Sequence, residues 1–407
     1  MNSTAANWRA AKLDELGFVG RGRSRHRPRN AAFLFGGRYP FFQTGDIKAA
    51  NFRLTEYSQT YSEEGLAQSK LWKPDTLCIT IAANIAESAI LGIEGCFPDS
   101  VVGFVADPAE ADVRFVKYYL EILKSQMQSV SSGATQDNLS LEKLLSFDFI
   151  VPTVHVQRRI ADILSAYDEL IENNRRRIKI LESMARAIYR EWFMHFRFPG
   201  HESVPLISSA LGDIPADWSV GTFGELGALR KDTYIESKHA DLPLLDMARM
   251  PSRSIASSEL GTPTELQTSR IVFQGGDTLF GAIRCYLHKV VAVDYDGVTN
   301  TSVLVLRPKS PTYRSLLAMC ASDIETVRWA ETQSTGTKMP VINWGVFQGM
   351  PVPLPPEQLV GDFEKLAGPM LDEIGLLSAS NQVLRRTRDL LLPRLLSGEI
   401  DVETSAA

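Results

Sequence analysis

The chain has 407 residues, of which 44% are hydrophobic and 22% are charged, and a chain of this length predicts two or more folded domains. It contains no apolar run of about 18 residues and does not begin with a basic segment followed by an apolar one, so we expect neither a membrane span nor a secretory signal, and a cytoplasmic location. The formal charge of −5 excludes a binder that is basic over its whole surface, so any contact with nucleic acid has to come from local clusters of Lys and Arg.

The sequence contains two diverged copies of one pattern, about 200 residues apart. The matching pairs are, in order, Trp8 and Trp218, Glu15–Gly17 and Glu225–Gly227, Asp75–Leu77 and Asp277–Leu279, Ser132-Gly133 and Thr335-Gly336, and Val151-Pro152 and Val352-Pro353. Random matches would not keep their order. We therefore interpret the pattern as an internal repeat whose two copies differ by loop insertions.

Each copy combines a part with mixed α and β patterns and a helical part. Runs of β type, such as Ser302–Leu306 and Lys289–Val293, accompany helical runs, such as Asp112–Gln128 and Tyr313–Glu331. The predicted fold class is α+β, with two mixed domains separated by two long antiparallel helices in a coiled coil and related as an internal pseudo-two-fold repeat. The expected segments are residues 1–153 for the first mixed domain, 154–198 for the central helix, 199–354 for the second mixed domain, 355–400 for the C-terminal helix and 401–407 for a tail.

Both helical parts carry apolar residues in alternating steps of about three and four, the pattern of a coiled-coil seam. Asn174 interrupts the first seam and Asn381 lies near the middle of the second. An antiparallel alignment places these asparagines opposite each other, and we expect the pair to set the register at a cost in stability. Replacing either by Leu is then expected to raise thermal stability and to loosen the alignment. Gly368-Pro369 is expected to kink or interrupt the second helix.

Several stretches resemble the specificity subunit of type I restriction and modification systems, and the resemblance covers essentially the whole chain. The stretches are Trp8–Gly17 with Gly20–Arg23, Gly36-Gly37 with Tyr39-Pro40, Gly45–Ile47, Leu211–Pro215 with Trp218, and the segments VPTVHVQRRI and VPLPPEQLV. The first of these last two segments has His155-Val156 where the family has Pro and Glu. No single motif is specific for the family, whereas the ordered duplication followed by heptad helices is.

The resemblance implies a DNA sequence-recognition subunit without chemistry of its own. Two target-recognition domains would each read one half-site of double-stranded DNA, and the helices would fix their separation. The target would be bipartite and also asymmetric, because the two domains differ in sequence. Two methyltransferase subunits would dock on this chain, and restriction and translocase subunits would join through the complex. The assembled complex would be an adenine-specific DNA methyltransferase and ATP-dependent endonuclease, with S-adenosylmethionine, ATP and Mg on the partner subunits and no cofactor or metal in this chain.

Five arginines at alternate positions, Arg21, Arg23, Arg25, Arg27 and Arg29, are the strongest local candidates for DNA contact. In an extended segment this alternation places all five on one side, where guanidinium groups suit phosphates or guanine edges; a solvated loop is the alternative. The candidate DNA-binding residues are Arg21, Arg23, Arg25, Arg27, Gln43, Lys48, Asn51 and Gln136 in the first copy, and Arg230, Lys231, Arg249, Arg253, Arg284 and Lys338 in the second. Outside the arginine series, an ordinary solvated surface would offer the same residue types.

The sequence lacks the motifs of enzymes that act on DNA. Gly336-Thr337-Lys338 has neither the upstream glycine nor the following Ser or Thr of a P-loop. We find no loop that would hold a flipped adenine, no histidines at metal-ligand spacing and no paired cysteines. A catalytic restriction enzyme is therefore disfavoured. A coiled-coil scaffold protein without DNA specificity stays open as the alternative, although it does not explain two diverged copies.

Overall fold

The computed structural model describes residues 8–50, 52–132, 138–257, 259–266 and 268–402. The chain divides into two units: unit 1 comprises Met1–Glu172 and Leu384–Ala407, and unit 2 comprises Asn173–Val383. Each unit contains one mixed domain and parts of both long helices. Across the described ranges, we find no helix with both the length and the apolar character that a membrane crossing requires.

The first segment of unit 1 begins with short strands and leads into the first long helix. Its strands are β1 (Arg9–Ala11), β2 (Gly17–Arg21), β3 (Phe35–Phe41), β4 (Arg53–Leu54), β5 (Gln59–Tyr61), β6 (Leu77–Thr80), β7 (Ser88–Leu91), β8 (Val101–Ala106) and β9 (Phe149–Val151). Its helices are α1 (Thr44–Ala49), α2 (Glu63–Ala67), α3 (Val113–Ser132), α4 (Leu141–Ser146) and α5 (Val154–Tyr189), of which the last continues into unit 2.

The centre of unit 1 is a five-stranded sheet in the order β2-β8-β6-β7-β4. Neighbouring strands are antiparallel, except for the parallel pair of β7 and β4. Every residue of β6 and β7 is buried, because successive side chains of a strand point to opposite faces and both faces are covered. Leu77 packs on the side of α3 with Phe115, whereas Cys78 packs on the other side with Trp72.

Unit 2 repeats this arrangement and adds strands to it. Its strands are β10 (Leu206–Ser209), β11 (Gly212–Pro215), β12 (Ser219–Thr222), β13 (Gly227–Arg230), β14 (Asp232–Thr233), β15 (Arg270–Phe273), β16 (Thr278–Gly281), β17 (Val290–Ala292), β18 (Gly297–Asn300), β19 (Val303–Pro308) and β20 (Pro351–Leu354). Its helices are α6 (Glu236–His239), α7 (Arg314–Ser322), α8 (Ile324–Thr332), α9 (Trp344–Phe347) and α10 (Glu357–Leu396), of which the last ends in unit 1.

The internal repeat predicted from the sequence is confirmed by the strand order. The antiparallel sheet β13-β19-β16-β17 of unit 2 matches β2-β8-β6-β7 of unit 1 strand by strand. The pair β12 and β20 likewise matches the pair β1 and β9, which joins the start of each mixed domain to its end. The three-stranded sheet β14-β15-β18 and the two-stranded sheet β10-β11 lie outside this match.

The second long helix is continuous through the Gly-Pro pair at which the sequence predicted a kink or an interruption. α10 runs from Glu357 to Leu396 through Gly368-Pro369, so the expected interruption is wrong. Ala367 and Leu371 on either side of the proline are buried. Their packing outweighs the loss of one backbone hydrogen bond, because tertiary burial supplies most of the stability of a helix in a protein.

The helical run Tyr313–Glu331 is two helices rather than one. α7 ends at Ser322 and α8 begins at Ile324. Asp323 between them accepts a hydrogen bond from the backbone N–H of Glu325 at 2.9 Å, as an N-cap does.

Within unit 2, the antiparallel helices α5 and α10 meet at a buried pair of asparagines. The Asn174 amide Nδ2 donates to Oδ1 of Asn381 at 3.0 Å, and the two residues are 8% and 5% exposed. Each of the two side-chain amides is therefore hydrogen-bonded to another buried amide. This changes the expectation that either single replacement by Leu is stabilising, because it would leave the remaining amide buried without its partner.

Within unit 1, the buried carboxylate of Asp168 joins three helices. Tyr118 on α3 donates its O–H to Oδ2 of Asp168 on α5 at 2.5 Å, and Arg388 on α10 forms an ion pair with Oδ1. Burial, followed by the charge of Asp168, raises the pKa of Tyr118. The network fixes α3 of the mixed domain against both long helices.

Candidate nucleic-acid interface

The arginine series leaves β2 as an extended segment on the surface of unit 1. Arg21, Arg23 and Arg25 are exposed, whereas Gly22 and Ser24 between them are buried. The backbone N–H groups of Gly22 and Arg23 donate to carbonyls of β8 and of the loop before it, at 2.8 and 3.0 Å. The alternation predicted from the sequence is thus present for these three arginines, which project from a backbone that is held in place.

The last two arginines of the series do not continue it. Nη1 of Arg27 donates to the carbonyl oxygens of Ser24 and His26, both at 2.8 Å, and Arg29 forms an ion pair with Asp99 at 2.8 Å. The prediction that all five arginines lie on one side is therefore wrong for Arg27 and Arg29 in one respect: the alternation of exposed and buried residues ends before them, and the chain bends at residues 27–28. Both guanidinium groups form bonds within unit 1.

Lys70, which the sequence patterns did not indicate, lies beside the arginine segment. Its Nζ is 3.5 Å from the ring centroid of Trp72 and 4.7 Å from that of Phe18. Burial and the charge of Arg23 lower the pKa of Lys70. Phe18 is 57% exposed, so an aromatic face and several cations share one surface, the combination that single bases and phosphates favour. In the sequence, only the closeness of Lys70 to Trp72 indicates this surface, because Phe18 on β2 is far from both residues along the chain.

Helix α1 and the loop between β6 and β7 form a second polar surface on unit 1. Nζ of the exposed Lys48 donates to Oδ1 of Asn84 in that loop at 3.2 Å. The Gln43 amide donates to Oε1 of Gln59 at 2.8 Å. The structure thus groups Lys48 with Asn84, a residue that the sequence analysis did not select. The candidates Asn51 and Gln136 lie outside the described residues.

The corresponding surface of unit 2 is formed by two loops that are bonded to each other. The loop after β16 pairs with Val341, and the backbone N–H of Arg284 donates to the carbonyl of Pro340 at 2.8 Å. Gly336, with φ of +103°, allows the sharp turn of the second loop. The exposed side chains of Arg284 and Lys338 therefore lie on neighbouring loops. In unit 1 the loop after β6 pairs with Asn138 in the same manner.

Left-handed backbone conformations of non-glycine residues are concentrated on these loops. Ala83, Asn84 and Ala86 after β6 have φ of +45°, +50° and +63°, and Arg284 and His288 after β16 both have φ of +52°. Such conformations cost about 1–3 kcal/mol each and persist where the surrounding structure fixes them, which is often at binding sites. The loops after β6 and β16 are therefore the strongest backbone indication of a ligand surface in each unit.

Arg230 and Lys231 lie at the end of the strand of unit 2 that corresponds to β2. Arg21 is the last residue of β2, which pairs with β8, and Arg230 is the last residue of β13, which pairs with β19. Both Arg230 and Lys231 are exposed. The two units carry different cations on the same surface of the sheet.

Arg249 and Arg253 differ in how their charges are used. Arg249 forms ion pairs with Asp246, at 3.2 Å, and with Glu265, and its side chain is 23% exposed. Arg253 is exposed, and its backbone N–H donates to the carbonyl of His288 at 2.8 Å. Arg249 is therefore a member of a structural ion-pair cluster with Asp246 and Glu265, whereas Arg253 adjoins the loop that carries Arg284.

The cysteines and the carboxylates do not form a site of their own in the part of the chain that the structure describes. All four cysteines are buried, and burial raises the pKa of Cys96 and that of Cys320 to about 11. They therefore pack as small apolar residues. Among the described residues, no group of three or more His, Cys, Asp or Glu side chains could hold a metal ion.

Comparison with known proteins gives consistent similarities. Residues 6–183 match the family model of the type I restriction modification DNA specificity domain. The MjaIX type I restriction enzyme specificity subunit of Methanocaldococcus jannaschii is 25% identical, over 73% of this chain and 71% of its own length. The HindI type I restriction enzyme specificity subunit of Haemophilus influenzae is 23% identical, over 95% of this chain and 98% of its own length.

The fold agrees with a solved structure. The crystal structure of the S subunit of a type I restriction-modification system from M. genitalium superposes with a TM-score of 0.60 and 17% identity, over 97% of each chain. The family model covers the first mixed domain and most of α5, and the relative from Haemophilus influenzae extends the similarity over both repeats. The chain is therefore similar over both repeats to type I restriction enzyme specificity subunits, and its residues 6–183 match the DNA specificity domain of such systems.

Proposed function

We propose that the chain reads an asymmetric, bipartite target in double-stranded DNA, with one half-site for each mixed domain. In this proposal residues 1–153 and 199–354 are target-recognition domains, residues 154–198 and 355–400 are helical spacers, and residues 401–407 are a tail. One observation carries the proposal: the same strand order occurs in both units, while the loops at equivalent places carry different side chains. A fold that is repeated with altered loops is suited to recognising two different sequences in the same kind of ligand.

The side chains on the equivalent loops support an asymmetric target. Unit 1 presents Lys48 on α1 and Asn84 in the loop after β6, whereas unit 2 presents Arg284 in the loop after β16 and Lys338 in the loop that pairs with it. An amide can pair with adenine and a guanidinium with guanine in the major groove. Different donors and acceptors at equivalent positions would select different bases, so the two half-sites would differ. The cationic segment with Arg21, Arg23 and Arg25 would bind phosphates and position unit 1.

The proposed protein partners are two methyltransferase subunits, which would dock on the long helices. On α10 in unit 2, Leu376 and Val383 are 64% and 65% exposed and lie one heptad apart. On α5 in unit 1, Ile163 and Leu170 repeat this spacing and are 39% and 51% exposed. Exposed apolar residues at heptad spacing form a stripe that a further helix could cover. Restriction and translocase subunits would join through this complex.

The chemistry of the assembly would belong to the partner subunits. S-adenosylmethionine would serve methylation of adenine, and ATP with Mg would serve translocation and cleavage, all on subunits other than this chain. The complex would then act as an adenine-specific methyltransferase and ATP-dependent endonuclease in the cytoplasm. The role of this chain would be to choose the sequence on which these activities operate.

Gel-shift titration of the complex with its methyltransferase subunits tests the proposal. We expect sequence-specific binding that weakens steeply with salt. The combined variant Arg284→Asn and Lys338→Gln should lose base discrimination at one half-site only, since asparagine tolerates the left-handed backbone at position 284. The matched control is Lys365→Gln, an exposed lysine on α10 that pairs with Asp362. Binding without sequence preference by the unaltered complex would support a scaffold and contradict the proposal.

A further inference from the structure

A groove beside α5 in unit 2 carries cations that the candidate reading loops do not include. The α5 groove is lined by Lys179, Glu182, Ser183 and Arg186 of α5, by Arg190 directly after this helix, and by Arg253 from the mixed domain. Its volume is about 470 Å³. We infer that the α5 groove binds a phosphate of the DNA backbone beside the half-site read by unit 2. This inference rests on the proposed function.

The carboxylates near the α5 groove are already engaged by the protein. Oε1 of the buried Glu182 accepts hydrogen bonds from the hydroxyl of Ser254 at 2.6 Å, from the backbone N–H of Ile255 at 2.8 Å and from that of Ala256 at 3.2 Å. Glu182 therefore ties α5 to the loop that carries Arg253. Its Oε2 also lies 3.9 Å from Nη2 of Arg186. The groove has four cationic side chains against this one carboxylate, so positive charge stays in excess.

The second carboxylate, that of Asp323, is engaged as well. It caps α8 through the backbone N–H of Glu325 at 2.9 Å and lies 3.5 Å from Nη1 of Arg190. This ion pair uses one side of the Arg190 guanidinium, whose side chain is 44% exposed. The remaining N–H groups of Arg190 can therefore donate to a ligand in the groove.

Arg186 is held in place beside the α5 groove. Its Nη2 donates to the backbone carbonyl of Arg253 at 3.1 Å, which fixes the plane of the guanidinium, and its Nε is buried. Arg186 therefore contributes its positive charge to the groove. The exposed guanidinium groups of Arg190 and Arg253 can pair with a phosphate directly, and the planar fork of arginine matches the geometry of phosphate.

The position of Arg253 favours DNA over an acidic protein partner. Its backbone N–H donates to the carbonyl of His288, which lies in the same loop as Arg284. Arg253 itself has φ of +61°, so it shares the left-handed conformation found in that loop. The α5 groove and the reading loop of unit 2 are therefore joined by a backbone hydrogen bond. A duplex in contact with Arg284 would bring its sugar-phosphate backbone towards the same wall.

The test measures how the affinity of the full complex for DNA depends on salt. Arg190→Gln and Arg253→Asn are combined, because these two arginines are the exposed donors of the groove and asparagine suits the left-handed backbone at position 253. The slope of log affinity against log salt should become less steep by about 0.9, the value for one phosphate contact on duplex DNA. Base discrimination should stay unchanged, since a phosphate contact is not sequence-specific. The control combines Lys365→Gln and Arg328→Gln, which remove the same charge from exposed ion pairs and should leave the slope as it is.

Several results would overturn the inference. An unchanged slope in the Arg190→Gln and Arg253→Asn variant, in a complex that otherwise binds its target, contradicts the α5 groove and leaves the proposed function standing. Loss of co-elution with the methyltransferase subunits would assign the groove to an acidic partner surface. If inorganic phosphate, compared with chloride at equal ionic strength, stabilises only the unaltered protein while the DNA slope is unchanged, the groove binds free phosphate. Absence of salt-dependent, specific binding by the unaltered complex would instead contradict the proposed function itself.

Discussion

Replacing Arg388 by Met should strongly destabilise unit 1. Arg388 is the ionic partner of Asp168, whose side chain is 2% exposed, so the variant would leave a buried carboxylate with Tyr118 as its remaining donor. Removing one partner of a buried ion pair costs about 3–5 kcal/mol. We expect about 3 kcal/mol, the lower end, because the hydrogen bond from Tyr118 persists and Arg388 is itself 23% exposed.

Amide hydrogen exchange in β6 and β8 measures this effect on unit 1 alone, because these strands exchange through opening of its core. The matched control is Arg394→Met on the same helix, where an exposed pair with Glu399 is lost and at most about 1 kcal/mol is expected. The double variant Asp168→Asn and Arg388→Met should recover most of the loss, since a neutral amide can still accept from Tyr118. A cost for Arg388→Met that equals that of Arg394→Met would refute the reasoning that Asp168 depends on its partner.

Three further predictions concern unit 2 and its partners. Asn174→Leu alone should lower the free energy of unfolding of unit 2 by about 1–3 kcal/mol, whereas Asn174→Leu with Asn381→Leu should exceed the parent in thermal denaturation; a stabilising single variant would contradict the role of the hydrogen bond. Burial lowers the pKa of His288, so the folded state favours the neutral ring, and the free energy of unfolding of unit 2 should fall as pH drops from about 7 to about 5. In denaturant titrations at several pH values, His288→Asn should flatten that dependence, and an equal slope in both proteins would exclude His288 as its source. Leu376→Glu with Val383→Glu should abolish co-elution with methyltransferase subunits without changing the circular dichroism of the chain, and unaltered co-elution would remove this stripe from the interface.

The repeat and the long helices could be predicted from sequence because they depend on local periodicity and on the order of matches. The seam residues that flank Asn174 and Asn381 have the spacing of a coiled coil, and antiparallel counting places the two asparagines opposite each other. The continuity of α10 through Pro369 could not be predicted in this way. Local propensity disfavours proline inside a helix. The burial of Ala367 and Leu371, which compensates for it, is produced by residues that are far away in sequence.

The candidate site was harder to predict, because side-chain partners are set by the tertiary structure. Alternation correctly indicated Arg21, Arg23 and Arg25 as exposed, but it could not reveal that Arg29 meets Asp99 across the domain. The composition of the loops gave the residue types without their neighbours. The grouping of Arg284 with the loop of Lys338 depends on the pairing of two segments that are far apart in sequence.

The central claim is that the two mixed domains recognise two different DNA sequences. Its most direct test is to map the bases that are methylated when this chain is assembled with its methyltransferase subunits. The account predicts one target composed of two different short sequences, separated by a constant number of unspecified base pairs. A palindromic target, a single continuous target or methylation without sequence preference would contradict it.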